Sequence, residues 1–224
     1  MATHTGVSTL LLRNVPLFAM LPENQLAVLT GVVSRRSFPR GTTIIAGGDV
    51  TDSLYVVVSG TLKVTMSEDA GREIILSVLG PREYFGEMVP IDDSTRSASV
   101  ISLEPCELLV LSKHEFRKCL FENFDMAMAM MRCLVKRLRE ADRKIGSLAL
   151  MDVYGRVARL LLDMSETIDG QRVVTRKIVK QDIARMIGAS REMVSRVMKH
   201  LQVGGYIDVR GKTIYLHDSI VDID

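Results

Sequence analysis

The first half of the chain alternates short apolar runs with glycine, proline and aspartate. Between residues 17 and 111 the runs are rich in valine, isoleucine, leucine and threonine, and residues that favour turns separate them. This pattern is typical of the short antiparallel strands of a β sandwich or barrel. The predicted strands cover residues 42–45, 54–58, 61–66, 73–78 and 97–102, and a predicted helix over 22–32, with Pro22 in its first turn, precedes them.

The middle of the chain has the pattern of a long helix. From residue 113 to residue 151 there is no proline and the only glycine is Gly146. Apolar residues recur at steps of four and three as a seam: Met130, Leu134, Leu138, Ala141, Ile145 and Leu148. Such a seam packs on the β domain or pairs with another helix, and its charged flanks favour a second copy of the chain in a symmetric dimer. Because glycine weakens a helix by about 1 kcal/mol relative to alanine, we expect the joint between domains at 146–152.

The remaining residues predict a small domain in which helices lie between β ribbons. An amphipathic helix is expected over 153–165, followed by a turn at Asp169-Gly170 and a strand at 173–174, and a hairpin over 206–216 closes the chain. The fold class is therefore α+β. The predicted domains are a β-rich domain, the long helix with its joint, and a C-terminal domain, at residues 1–120, 121–151 and 152–224.

Residues 180–201 have the pattern of a helix-turn-helix. A helix over 180–187 is followed by Gly188, where the chain can bend sharply, and by Ser190, whose hydroxyl suits the N-cap of a second helix over 190–201. The side chains expected to hold the two helices together are Ile183, Ala184, Ile187, Val194, Val197 and Leu201. The polar side chains of the second helix then point outward, where they could enter a DNA major groove.

Positive charge is concentrated in this segment, although the net charge of the chain is only +2. Between residues 172 and 199 the acidic residues are Asp182 and Glu192, and the cations are Arg172, Arg176, Lys177, Lys180, Arg185, Arg191, Arg196 and Lys199. Cations bind phosphates, arginine bonds bidentately to guanine, and glutamate accepts from cytosine. The residues predicted to contact DNA are Lys180, Gln181, Ser190, Arg191, Glu192, Ser195, Arg196 and Lys199. The alternative is a solvated helix face that contacts another protein.

Composition argues against several other classes of protein. The hydrophobic and charged fractions, 47% and 25%, are ordinary, and because we find neither a secretory signal nor a membrane-length apolar run, we expect a cytoplasmic protein with no membrane partner. The three cysteines are dispersed and the four histidines lack ligand spacing, so we expect no metal. The roughly 70 residues after the joint contain no nucleophile–base pair or phosphate loop, so we expect no enzyme activity.

One stretch of the first domain has the residues of a phosphate-binding cassette. Gly86 would let backbone amides approach an anion, and Arg96 and Ser97 would donate to phosphate oxygens. Glu87, which precedes Met88, can accept from a ribose hydroxyl. Taken alone, an arginine and a glutamate at this spacing also fit an ordinary ion pair.

The order of motifs along the chain resembles one family over nearly its whole length. The motifs are LF-x-x-L from Leu17, Gly41, Gly48-Asp49, Leu54-Tyr55, Gly60, FGE, RSA, the run LALMDVYGRVARLLLDM and the run KQDIARMIGASREMVSRVMKHL. In this order they resemble the cyclic-AMP receptor protein/FNR (CRP/FNR) family of bacterial transcription regulators. The resemblance covers residues 15–217. It implies an N-terminal cyclic-nucleotide-binding β-roll of jelly-roll type, a long dimerisation helix and a C-terminal winged helix-turn-helix.

The resemblance also implies a function. It implies a homodimer that binds a cyclic nucleotide in the β domain, reorients its DNA-binding domains about a hinge, and regulates transcription with RNA polymerase as a partner. Arg191, Glu192 and Arg196 fall on the family's base-reading positions. This implies double-stranded DNA with TGTGA-like half-sites, repeated with dyad symmetry about one helical turn apart.

The effector stays open between two cyclic nucleotides. Gly86, Glu87, Arg96 and Ser97 fall on the family's nucleotide-contacting positions, but Ala141 and Asp142 replace the adjacent Thr and Ser hydroxyls that cyclic-AMP-binding members offer to adenine. Some relatives respond to cyclic di-GMP, and Asp142 could bind a guanine edge. The Val89-Pro90 pair also predicts an altered cassette helix. The predicted ligand-binding residues are Gly86, Glu87, Met88, Arg96, Ser97, Ala141 and Asp142.

Two other functions fit the same domains. A nucleotide-binding regulatory subunit that acts on a protein partner would bind no specific DNA sequence. A ligand-independent regulator would bind DNA and keep only a vestigial pocket.

Overall fold

The computed structural model describes residues 7–68, 71–176, 178–211 and 213–222. The chain forms two compact units that divide within a long helix, between Arg137 and Leu138. The described elements confirm the α+β class, with a β-rich part, a long helix and a helix-turn-helix in that order.

The first unit combines short strands with helices. Its described strands are β1 Ser34–Phe38, β2 Thr43–Ile45, β3 Leu54–Ser59, β4 Leu62–Ser67, β5 Glu73–Leu79, β6 Tyr84–Phe85, β7 Ser99–Ser102 and β8 Cys106–Leu111. Its described helices are α1 Thr9–Arg13, α2 Glu23–Val32, α3 Met88–Asp92 and α4 Lys113–Glu122, and the long helix α5, Phe124–Leu150, begins here.

The strands form two antiparallel sheets with an apolar core between them. The strand orders are β1-β8-β3-β6 and β2-β7-β4-β5. Strand β3 contributes side chains to two apolar cores. Tyr55 and Val57 pack with residues of the other sheet such as Val100, whereas Leu54 and Val56 pack with the helices. Since both faces of β3 are buried over residues 54–57, its sequence is apolar there instead of alternating.

Most of the predicted elements of this unit are confirmed. The helix predicted over 22–32 and the five predicted strands lie within two residues of their observed bounds. Strands β1, β6 and β8 were not predicted. Strand β1 carries Arg35 and Arg36 and lies at a sheet edge, where charged side chains are common. Strand β8 ends in an apolar run, Leu108–Leu111, a pattern that does not distinguish a strand from a buried helix.

The helical middle of the chain differs from the prediction at Asn123, and its end falls within the expected joint. Helices α4 and α5 are separated at Asn123, whose side-chain oxygen accepts from Met126 N at 2.8 Å and so caps the start of α5. Helix α5 continues through Gly146 and ends at Leu150, so within the expected joint at 146–152 the helix is interrupted only after Leu150. The chain leaves the helix only at Met151 and Asp152, and the Asp152 carboxylate accepts from Gly155 N at 2.8 Å at the start of the next helix.

The second unit has its own core and sheet. Its described elements are the end of α5, α6 Val153–Met164, β9 Glu166–Ile168, β10 Gln171–Val174, α7 Lys180–Ile187, α8 Arg191–Val203, β11 Ile207–Arg210, β12 Thr213–Leu216 and a 3-10 helix, Asp218–Asp222. The sheet order is β11-β12-β10-β9. The turn between β9 and β10 is the predicted Asp169-Gly170 pair, and both residues have positive φ, 49° and 78°, as a tight hairpin turn requires.

The described residues lack two kinds of feature. No helix there combines the length and the apolar character that a bilayer-spanning segment needs. No three His, Cys, Asp or Glu side chains there are grouped so that they could hold a metal ion.

Candidate nucleic-acid interface and ligand cassette

Helices α7 and α8 form the predicted helix-turn-helix. Helix α7 ends at Gly188, whose φ of 65° is left-handed, and Ala189 N donates to Ala184 O at 3.0 Å across the turn. Ser190 is the N-cap of α8, and its hydroxyl accepts from Met193 N at 3.1 Å. The turn residue and the cap predicted from the sequence are therefore confirmed.

The apolar faces of the two helices pack together and against α6. The residues predicted to hold them together are all buried: Ile183, Ala184, Ile187, Val194, Val197 and Leu201. They share one core with Val157 and Leu161 of α6 and with Ile207 of β11. This core fixes which face of α8 points to solvent.

The polar face of α8 is open to solvent. The exposed residues among those predicted to contact DNA are Lys180, Gln181, Ser190, Arg191, Glu192, Arg196 and Lys199, and Ser195 is half-buried. Of the other predicted cations, Arg172 and Arg176 are exposed, Arg185 is half-buried, and Lys177 lies outside the described residues. Cations thus dominate this surface, as binding to a phosphate backbone requires.

Sequence reasoning missed a groove beside α8. The groove has a volume of about 680 Å³ and is lined by Tyr154, Arg196, Lys199, His200, Val203 and Gly204. Arg196 and Lys199 connect it to the polar face of α8. The spacing of residues 196, 199, 200 and 203 places them along one side of the helix, so the periodicity of α8 could have indicated a second surface there.

The cassette begins at Gly86, a position that requires glycine. Its φ is 81°, and a β-carbon there would lie 2.8 Å from Arg96 Nη1 and 2.9 Å from the backbone oxygen of Ser53. The left-handed conformation and the close approach of another backbone both exclude a larger residue.

Replacing Gly86 by alanine should destabilise the fold by about 1–3 kcal/mol, measured by urea denaturation. Gly41→Ala is the matched control, because Gly41 also has a φ of 81° but a β-carbon there meets nothing within 4 Å. Equal losses of unfolding free energy in the two variants would contradict the close approach at Gly86.

The cassette helix α3 forms despite Pro90. Glu87 is its N-cap, so Pro90 occupies the third helical position. The first backbone N–H groups of a helix have no partner within it, so a proline in the first turn removes no helical hydrogen bond. The expectation that Val89-Pro90 alters this helix is therefore not supported by its described backbone.

Arg96 is buried and held by the cassette itself. Its exposed fraction is 4%. Its Nη1 donates to Gly86 O at 2.7 Å, its Nη2 to Ser53 O at 2.8 Å and its Nε to Thr51 Oγ1 at 3.1 Å. Burial lowers the pKa of Arg96, although neighbouring acidic groups oppose this shift. An arginine side chain nevertheless remains charged in a protein.

Glu87 is also buried, and its partner is Arg137 of α5. The Glu87 side chain is 3% exposed and forms an ion pair with Arg137 Nη1. Arg137 Nη2 donates to Tyr84 O at 2.7 Å, and the guanidinium lies 5.1 Å from the centre of the Tyr84 ring. Burial opposes the charge of Arg137, but the Glu87 carboxylate together with Cys133 and Tyr84 outweighs it, and the pKa of Arg137 is raised. Sequence reasoning assigned Arg137 only to the charged flank of the helix.

The structure brings together only part of the predicted ligand site. Gly86, Glu87 and Arg96 form one cluster within the first unit. Met88 and Ser97 are exposed at its edge, with Ser97 Oγ 3.7 Å from Met88 Sδ. Ala141 and Asp142 are exposed on α5 and belong to the second unit. Their part in ligand binding stays a prediction.

The far end of the cassette helix is fixed to α4. Asp93 follows α3 with a φ of 60° and forms ion pairs with Lys113 and with Arg117, the latter at 2.8 Å. Arg117 Nε also donates to Pro90 O at 2.6 Å. Hydrogen bonds from Lys113 and Arg117 lower the pKa of Asp93 to about 2.

We expect carboxyl-carbon NMR to give a pKa of about 2 for Asp93, and Arg117→Met to raise it. Because the pKa in the fold lies below the unfolded value of about 3.9, these ion pairs stabilise the fold above that pH, and their contribution is lost as the pH falls toward 2. Arg72→Met, which removes a guanidinium paired with Glu68, should leave the pKa of Asp93 unchanged. A pKa of Asp93 near its unfolded value of about 3.9, unchanged in Arg117→Met, would contradict these ion pairs.

Comparison with known proteins agrees with both halves of the fold. Residues 35–123 match the family described as cyclic nucleotide-binding domain, and residues 155–219 match the Crp-like helix-turn-helix domain. The chain is 35% identical over 190 residues to the cAMP-activated global transcriptional regulator Vfr of Pseudomonas aeruginosa, which covers 80% of this chain and 87% of that protein. It is 29% identical over 213 residues to a CRP-like cAMP-activated global transcriptional regulator of Mycobacterium tuberculosis, covering 93% and 95%.

The chain also superposes on solved structures over most of its length. The c-di-GMP-responsive global regulator CLP of Xanthomonas campestris superposes with a TM-score of 0.72 at 31% identity, covering 88% of this chain and 99% of that one. FixK2 of Bradyrhizobium japonicum superposes with a TM-score of 0.77 at 20% identity, covering 86% and 98%, which shows a common fold.

Proposed function

The chain belongs to the CRP/FNR family of transcription regulators, and on that premise we propose that it is a homodimer that binds a dyad-symmetric DNA site under the control of a cyclic nucleotide. Its family membership makes it a CRP-like DNA-binding regulator with a cyclic nucleotide-binding domain. The observation that carries the finer proposal is the exposed polar face of α8, fixed by a buried helix-turn-helix core. We place the DNA-binding domain at residues 152–224 and the protein in the cytoplasm, with RNA polymerase as its partner.

The polar face of α8 has the chemistry to read bases. Arg191 and Glu192 occupy its first turn and are exposed, and Arg196 follows one turn later. In a helix-turn-helix, the first residues of the second helix contact base edges in the major groove. Arginine pairs with guanine and glutamate with cytosine, which supports TGTGA-like half-sites. Lys180 and Lys199 are placed to neutralise phosphates beside them.

The exposed apolar residues of α5 support a dimer. Their exposed fractions are 47% for Met131, 47% for Val135, 62% for Leu138, 65% for Ile145 and 53% for Leu148. Their spacing places them on one side of the helix, together with the predicted seam. Contact with the same face of a second copy would bury this stripe in an isologous interface and would place the second reading helix for the other half-site.

The cassette supports a cyclic nucleotide as effector. A guanidinium has five N–H groups, and the three described hydrogen bonds of Arg96 use three of them, so we propose that the other two donate to the ligand's phosphate oxygens. Among the relatives, Vfr is named as cAMP-activated and CLP as c-di-GMP-responsive. Ala141 and Asp142 provide no pair of hydroxyls for adenine, so both nucleotides stay candidates.

Calorimetric titration with cyclic AMP, cyclic GMP and cyclic di-GMP tests the effector. We expect one of them to bind, and Arg96→Ala to weaken that binding at least about tenfold while sedimentation still shows a dimer. Arg72→Ala is the control, since Arg72 is exposed and paired with Glu68. If Arg96→Ala binds the nucleotide as tightly as the wild type, or if the wild type binds none of the three nucleotides, the cassette is not the ligand site.

A ligand-independent regulator is the second candidate. The observation in its favour is that the buried charges of the cassette already have partners within the protein, Arg96 on carbonyl oxygens and Glu87 on Arg137. It predicts specific DNA binding that none of the three nucleotides changes.

A further inference from the structure

The turn between α7 and α8 is held by a side chain from a third helix. Arg156, in the first turn of α6, donates from Nη1 to the backbone oxygen of Ile187 at 2.8 Å. Ile187 is the last residue of α7. We infer that Arg156 is a positioning residue, which sets the direction of α8 and thereby the sequence specificity of DNA binding; this inference rests on the proposed function.

The oxygen of Ile187 is a natural acceptor for this contact. The last carbonyl groups of a helix have no partner within it, and they carry the negative end of the helix dipole. Backbone bonds across the turn from Gly188 and Ala189 reach Ala184 O instead. A half-buried guanidinium therefore satisfies the terminal carbonyl and matches its partial charge, a combination stronger than a neutral hydrogen bond.

Helix α5 also lies close to the turn between α7 and α8. A β-carbon built on Gly188 would lie 3.6 Å from Leu148 Cδ2 in the last turns of α5. The helices on both sides of the bend at residues 151–152 therefore approach the turn between α7 and α8. Leu148 does so from the end of α5, and Arg156 from the start of α6. Ser190, the N-cap of α8, lies two residues beyond Gly188. A shift of the first turn of α6 is consequently passed to the start of the reading helix.

This role predicts an effect on specificity and not on general DNA affinity. Base contacts depend on where the first turn of α8 lies in the groove, whereas contacts with phosphates depend mainly on charge. Arg156 is half-buried and bonds to a backbone oxygen, so it is not part of the exposed cationic face. Losing its contact should loosen the base-reading geometry and leave the number of neutralised phosphates unchanged.

The test compares Arg156→Met with Arg159→Met in the full-length protein, on the duplex selected by the wild type and on a random-sequence duplex. Arg159 lies on the same helix, and its described ion pair is an exposed one with Asp163 at 3.5 Å. Both variants therefore lose the same charge. We expect Arg156→Met to lose about tenfold in affinity for the selected duplex only, with an unchanged salt dependence. Arg159→Met should match the wild type, and Arg156→Lys should recover most of the loss because it keeps a cationic donor.

Hydrogen exchange without DNA provides a readout that does not depend on the proposed function. The amides of Met193 and Val194 bond to Ser190 in the first turn of α8, and they should exchange about tenfold faster in Arg156→Met than in Arg159→Met. Equal exchange in the two variants overturns the positioning role. A loss of affinity on both duplexes with a shallower salt dependence also overturns it, because Arg156 would then contact phosphate. If the wild type prefers no sequence, the proposed function fails and the exchange result alone decides the role of Arg156.

Discussion

Replacing Arg191 by alanine is expected to abolish the preference for one base in each half-site, at a cost of about 1–3 kcal/mol of discrimination. The reason is that Arg191 is exposed in the first turn of α8, where a guanidinium can bond to both acceptors of a guanine. Glu192→Ala should relax a different position by a similar amount, since its carboxylate would accept from a cytosine. The measurement is the sequence of the duplexes that each variant selects from a random pool.

Lys180→Ala separates base reading from charge. Lys180 is exposed at the start of α7, and its loss should weaken binding to all duplexes about equally and reduce the slope of log affinity against log salt by about one. If Arg191→Ala behaves in the same way and selects the wild-type sequence, then Arg191 contacts phosphate and the assignment of the reading face is wrong.

Arg137→Met should cause the largest loss of stability among single substitutions in the cassette, about 3 kcal/mol in urea denaturation. The Glu87 side chain is 3% exposed, and its described ion pair is with Arg137. Removal of Arg137 leaves this buried carboxylate without its described ion-pair partner, and it also frees the backbone oxygen of Tyr84. The cost arises from the unpaired partner more than from the attraction that is lost.

Two further variants test this reason. Adding Glu87→Gln to Arg137→Met removes the buried charge and should recover most of the lost unfolding free energy. Arg132→Met, an exposed arginine on the same helix, should change stability by less than about 0.5 kcal/mol. The explanation fails if the double variant is as unstable as Arg137→Met, because the loss would then come from packing.

The helix-turn-helix could be predicted from the sequence because its signals are local. Gly188 and Ser190 act through their own backbone and their nearest neighbours, and apolar spacing fixes the buried faces of α7 and α8. The β strands between turns were predictable for the same reason. The break at Asn123 was not, since an asparagine can be an N-cap only where the chain has already left a helix, and tertiary contacts decide that.

The contacts that complete the site are not local. Glu87 and Arg137 are 50 residues apart, and Arg156 and the oxygen of Ile187 are 31 apart. No periodicity pairs such residues, so Arg137 was predicted only as part of a charged flank. Gly146 indicated where the joint begins only approximately, because its penalty of about 1 kcal/mol is small and α5 continues through it to Leu150.

The central claim is that α8 reads a DNA sequence in a symmetric dimer. The most direct test is selection of bound duplexes from a random-sequence pool by the purified full-length protein, followed by sequencing. We expect enrichment of two TGTGA-like half-sites related by a dyad, with centres about one helical turn apart. A pool that stays random after repeated selection at low salt would contradict it.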